Sequence, residues 1–201
     1  MGGETHQPQY QALYRACIKD AAAQGAALMQ ATLARALHAL PPRAQALGDV
    51  VERNLLLEAI DVLAEHQQPL AEAFSQVLLA EFAHAIAGER ASHLSFESLP
   101  LLGDEQVEEN TDLVRAVGEL EAAVRPQLAQ FESALRATRL TPQGGLQRHP
   151  LRPEVYVRSI YRLARQSPVS PAVRRRWLRY LPPLMAPELA QAYAALAQRL
   201  A

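Results

Sequence analysis

The sequence predicts an all-α protein, a multi-helix bundle of about six to eight helices built from antiparallel hairpins and one long, proline-kinked helix. Three observations carry this. Hydrophobic residues make up 49% of the 201 residues and are mostly Ala and Leu, with aromatics at only 5%; Ala and Leu lose little side-chain entropy in a helix. Apolar positions recur at three- and four-residue steps in one segment after another, the mark of helices with one buried face. The period-two alternation of β-branched residues that marks half-buried strands is missing. The length suits one helical domain or two small ones.

The first helix is expected from about Gln9 to Leu40, with Leu13, Ile18, Leu28, Leu33 and Leu37 apolar and Gly25 as a weak point. Pro41-Pro42 should end it, because proline lacks a donor and disfavours helix in the residue before it. A second helix covers Asp49 to His66. Leu56, Ile60 and Leu63 form its inner stripe, and Glu52, Glu58, Asp61 and Glu65 fall mainly outside it. Pro69 suits the first turn of a third helix. That helix carries Phe74, Leu78, Phe82 and Ile86, ends near Gly88 and makes a hairpin with the second. Residues 89–103 read as a connection pinned to the core by Leu99, Leu101 and Leu102.

Asp104 reads as an N-cap, with Glu105, Glu108 and Glu109 in the turns where a helix dipole favours negative charge. The helix that follows has the cleanest stripe in the chain: Leu113, Val117, Leu120, Val124, Leu128, Phe131 and Leu135. The stripe keeps its phase across Pro126, so a kink in one helix is expected rather than two helices. The Pro- and Gly-rich residues 140–153 mark the best boundary. They divide an acidic bundle (1–139) from a basic helical subdomain (154–201) packed on it, with one continuous domain as the alternative. Three shorter helices should follow: Pro153 to Arg165, Pro171 to Tyr180 with Ser170 as cap, and Pro187 to Leu200 with Leu189, Tyr193, Leu196 and Leu200 inward.

The net charge of −1 hides an asymmetry. Residues 1–122 hold 18 Asp/Glu against 7 Lys/Arg, a balance of −11; residues 123–201 hold 3 against 13, a balance of +10. Such asymmetry points to partners, or to halves that neutralise each other. Arg158, Arg162 and Arg165 share a helix face beside Tyr161, and Arg174, Arg175, Arg176 and Arg179 follow in the next helix. Guanidinium groups grip carboxylates and phosphates in two-pronged fashion and stack on rings. This row is the candidate contact for a protein partner or an anion; Trp177 and Val173 read as core on the opposite face. Glu105, Glu108, Glu109 and Asp112 form a candidate acidic contact face. They read as a solvated helix start rather than an acid–base pair, which needs carboxylates in differing, partly buried environments.

No catalytic motif, phosphate loop or metal-ligand spacing is present, and no cofactor is expected. His84 and His93 lie nine apart, a spacing that suits no usual metal site. The single cysteine, Cys17, has no motif around it and reads as a small core residue in a reducing, cytoplasmic setting. The first residues lack the basic and apolar regions of a secretory signal. No unbroken apolar run reaches membrane-spanning length, so no membrane partner is expected.

Two stretches resemble a known family. One is VERNLLLEAIDVLAEHQQPLAEAFSQVLLAEFAHAIAG, with Phe74 and Phe82; the other holds Leu101-Leu102-Gly103-Asp104-Glu105 and later Pro150-Leu151-Arg152-Pro153. Together, over roughly residues 45–200, they resemble the N-terminal region of the proteobacterial domain-of-unknown-function family 1631, sometimes mislabelled thymidine phosphorylase. The resemblance implies a bacterial, cytoplasmic, helical and regulatory protein. Members usually run on to a small β-rich module similar to PilZ, which binds cyclic dinucleotides; no such module is expected in these residues. It carries over no catalytic residues.

The function expected is non-enzymatic: a regulatory or adaptor protein that binds another macromolecule through charged helical surfaces, with a protein partner or self-association. The alternative is nucleotide or nucleic-acid binding through the arginine row. On the adaptor reading, reversing Arg175, Arg176 and Arg179 to Glu should leave folding intact but abolish partner binding.

Overall fold

The computed structural model describes residues 7–87, 104–138 and 149–200, with side chains from residue 12 in the first helix and from residue 108 in the fifth. Seven helices and no strand occur among them: α1 (Gln7–Ala23), α2 (Gly25–Gln45), α3 (Val50–Glu65), α4 (Gln67–Ala87), α5 (Asp104–Ala137), α6 (Pro153–Gln166) and α7 (Pro171–Leu200). The protein is an all-α multi-helix bundle.

The first predicted helix is two. The chain bends at Gln24, and Gly25 lies where α2 crosses α4: a Cβ there would sit 3.1 Å from Leu78 Cδ2 and 3.4 Å from Ser75 Cα. A side chain there would press on the Leu78 methyl, which glycine avoids. Pro41 and Pro42, expected to end this helix, lie inside α2 instead. Leu40 and Ala44 are buried on either side of them, while Pro42 faces solvent. The buried face therefore continues, and Pro42 lies four residues after the exposed His38, so the carbonyl it leaves without a bond is on the wet side.

Asp49 caps α3, accepting from the backbone amides of Val51 (2.8 Å) and Glu52 (3.3 Å). Leu56, Ile60 and Leu63 are buried as the stripe predicts. The predicted hairpin of α3 with α4 is only slight; both helices pack on α2 instead. In α4, Phe74, Leu78 and Phe82 are buried but Ile86 is 61% exposed, so the expected stripe ends one turn early. Among the described residues α4 is also the one helix long and apolar enough to cross a membrane. Here it lays its phenylalanines against α2 and α6. The predicted connection 89–103 lies outside the described residues.

Asp104 opens α5 as a helical residue. Pro126 sits within this single 34-residue helix, with Leu113, Leu120, Val124, Leu128, Phe131 and Leu135 buried and Val117 partly so. Arg152 precedes α6, and Pro153 takes its first position. Ser170 Oγ accepts from Val173 N at 3.3 Å and so caps α7. The two short helices expected next are one: α7 runs unbroken through Pro182, Pro183 and Pro187. Trp177, Leu181, Met185 and Leu189, each four residues on, keep one face buried across those prolines.

α7 lies along α5 as the most extensive interface, and α2 fits between α3, α4 and α7. One apolar cluster draws on all seven helices. Trp177 lies at its heart and donates its indole N–H to Ala59 O at 3.2 Å. Cys17 is buried in the same cluster, where burial raises its thiol pKa and keeps it protonated.

Candidate functional site

The arginine row does not stay together. On α6, Arg158 turns back to Glu154 on its own helix at 3.1 Å. Arg162 reaches across to Glu81 of α4 at 2.9 Å, and Arg165 to Glu109 of α5 at 3.7 Å. On α7, Arg175 meets Glu108 at 2.5 Å and Arg176 meets Glu52 of α3 at 2.5 Å. Helical spacing had aligned Arg158, Arg162 and Arg165 on α6, but neighbours on opposite flanks draw the side chains apart.

The expected acidic contact face is met in the same place. Glu108 and Glu109 hold Arg175 and Arg165. The Tyr161 hydroxyl donates to Glu109 Oε2 at 2.8 Å and accepts from Arg165 at 3.0 Å. Burial pushes the Tyr161 phenol pKa up and keeps it a donor. Asp112 pairs with Arg115 on its own helix at 2.8 Å. Glu105 lies in the first turns of α5, outside the residues whose side chains are described. The two surfaces singled out in the sequence thus meet at two points, Arg165 with Glu109 and Arg175 with Glu108.

Arg174 and Arg179 differ from the rest. Arg174 borders a shallow cleft between α5, α6 and α7 with only about 10 Å³ of space for water, lined also by Glu109, Asp112 and Tyr161, and makes no ion pair among the described residues. Arg179 lies over the Tyr180 ring, 5.6 Å from its centroid, and Arg43 of α2 lies over the same ring at 4.9 Å. A cation over an aromatic face is attracted by the ring's quadrupole. Arg43 and Arg179 are exposed, and neither meets a carboxylate among the described residues.

Sequence reasoning missed one surface. Six large hydrophobic residues are exposed among the described ones, and three lie on α3: Val50 (54%), Val51 (66%) and Leu57 (37%). Glu58, Asp61 and Glu65 are exposed on the same helix. The signal was in the sequence, since Val50, Val51 and Leu57 are out of phase with the buried Leu56, Ala59, Ile60 and Leu63. No group of three or more His, Cys, Asp or Glu side chains able to hold a metal occurs among the described residues.

Helix upon helix, with one core and facing charged surfaces, defines a compact bundle protein with neither strand nor metal cluster among its described residues. The chain belongs to the family described as protein of unknown function (DUF1631), N-terminal domain, whose model matches residues 9–201. No curated protein and no solved structure matches it.

Proposed function

We propose that this chain is a non-enzymatic regulatory or adaptor module of the bacterial cytoplasm, which binds another macromolecule through a charged helical surface. The observation that carries this reading is the outer face of α3, where Val50, Val51 and Leu57 stand exposed among Glu58, Asp61 and Glu65. Contiguous exposed aliphatics with a polar rim mark interaction surfaces. The ion pairs that join α3, α4 and α5 to α6 and α7 favour a rigid body suited to presenting such a face.

The test is affinity capture from a nuclease-treated native lysate, comparing wild type with a Val51→Lys, Leu57→Lys variant that melts like wild type. A protein held by wild type and lost by the variant supports the reading. Identical capture by both removes it.

Arg174 and Arg179, without carboxylate partners among the described residues, favour a second reading: binding of a nucleotide or nucleic acid at α7. Phosphate contacts weaken steeply with salt. A single-stranded DNA probe should then bind with a salt slope that shrinks in Arg174→Ala, Arg179→Ala. Absence of binding at low salt rules it out.

A further inference from the structure

The outer face of α3 and the corner where α2 meets α7 carry opposite charges that no Lys, Arg, Asp or Glu among the described residues neutralises. α3 turns Leu56, Ala59 and Leu63 inward, where they close on Trp177 and Tyr180. At 3.6 residues per turn, Glu58, Asp61 and Glu65 fall on the far side, together with Val50, Val51 and Leu57. Glu58 and Asp61 meet no cation among the described residues, and Glu65 meets only His66, at 3.8 Å. The corner is the reverse: Arg43 and Arg179 share the Tyr180 ring, are exposed, and meet no carboxylate among the described residues. On the same two helices Arg162, Arg165, Arg175 and Arg176 are matched to carboxylates, while Arg174 makes no ion pair among the described residues.

Both surfaces flank α3, yet they point to different sides of it. Because the inner face of α3 packs beside Tyr180, its outer carboxylates face away from Arg43 and Arg179. The complementary pair cannot meet within one chain, and it can meet between two. We propose that the outer face of α3 docks on the Arg43–Tyr180–Arg179 corner of a second copy, giving head-to-tail self-association. The contact is heterologous, joining two different patches, so it closes into a ring or extends into a chain. Aliphatic Val50, Val51 and Leu57 would supply apolar burial, and the arginines and carboxylates would set orientation. The inference rests on the reading of α3 as an interaction face and names the occupant.

The experiment is sedimentation velocity of the full chain over a concentration series, at low and high salt. Wild type should associate with rising concentration, and less at high salt. Glu58→Lys with Asp61→Lys removes one patch, and Arg43→Ala with Arg179→Ala removes the other. Each variant alone should sediment as a monomer, and their equimolar mixture should form a 1:1 complex through the one intact pair of patches. Val51→Lys, at a two-thirds exposed residue, is an independent lesion of the same face and should also dissociate. A monomeric wild type at every concentration overturns the proposal, as does a mixture that stays monomeric. If wild type is monomeric but still captures a partner dependent on α3, self-association alone falls. If α3 variants dissociate yet capture the same proteins as wild type, the adaptor reading alone falls.

Discussion

His149 shows how far a single side chain can be set by its surroundings. It is fully buried, edge-on to the Phe131 ring at 5.6 Å, and Phe131 in turn stacks on Tyr193. Its Nε2 is 3.7 Å from Glu132 Oε1, too far for a hydrogen bond, and neither ring nitrogen has a hydrogen-bond partner among the described residues. Burial, with the nearby Arg152 cation adding to it, lowers the imidazole pKa from 6.5 to about 4. The Glu132 carboxylate would favour the cation, but without a hydrogen bond it does not offset the lost hydration. The native state therefore holds a neutral ring, while the unfolded chain takes up a proton below pH 6.5. Stability is complete above 6.5 and falls as the pH drops toward about 4, by about 3 kcal/mol for the whole interval. Thermal melts across that range should show the loss in wild type and a flatter profile in His149→Met, a replacement able to fill the same space. Equal pH profiles would sink this assignment. The burial was not legible in the sequence, because His149 stands among Pro and Gly residues that read as a boundary loop.

At the scale of helices, the prolines separate what the sequence disclosed from what it concealed. That one helix runs across Pro126 was read correctly, because an apolar stripe of seven residues spans it. Pro41-Pro42 was read as a helix end, and Pro182-Pro183 fell in a gap before a helix expected to start at Pro187, although Leu40 and Ala44, or Leu181 and Met185, keep a buried face running past them. A proline costs a helix the bond to the carbonyl four residues back and crowds that carbonyl. The cost is least where that carbonyl reaches water, which periodicity alone does not reveal. Ala122 and Pro126 are both exposed, so water can satisfy the freed group while Val124 and Leu128 hold the helix to the core. Proline is nonetheless a poor helix residue. Pro126→Ala should stabilise the protein by up to ~3 kcal/mol, since it restores a bond on an exposed face. A raised melting temperature with an unchanged circular dichroism shape is the expected result; an unchanged or lower one would show that α5 depends on its proline.

Across the whole molecule the charge asymmetry becomes architecture. The acidic first part and the basic last part meet along ion pairs: Asp20 with Arg199, Glu52 with Arg176, Glu81 with Arg162, Glu108 with Arg175 and Glu109 with Arg165. The asymmetry was plain in the sequence, and so was the chance that the halves neutralise each other. The pairing was not, because partners such as Glu52 and Arg176 lie 124 residues apart and only the packing of α3 on α7 joins them. Exposed pairs are each worth about 0–1 kcal/mol, so the apolar core holds the bundle together and the charges tune its docking. Arg175 and Arg176 are therefore not idle surface groups, contrary to the expectation that their reversal leaves folding untouched. Arg175→Glu with Arg176→Glu should lower stability by roughly 1–2 kcal/mol, from two lost pairs and two new repulsions. Adding Glu108→Arg and Glu52→Arg rebuilds both pairs with their signs exchanged, and denaturant titration should show most of the loss recovered. A fourfold variant no more stable than the double one would mean that the seam contributes nothing to holding the halves in place.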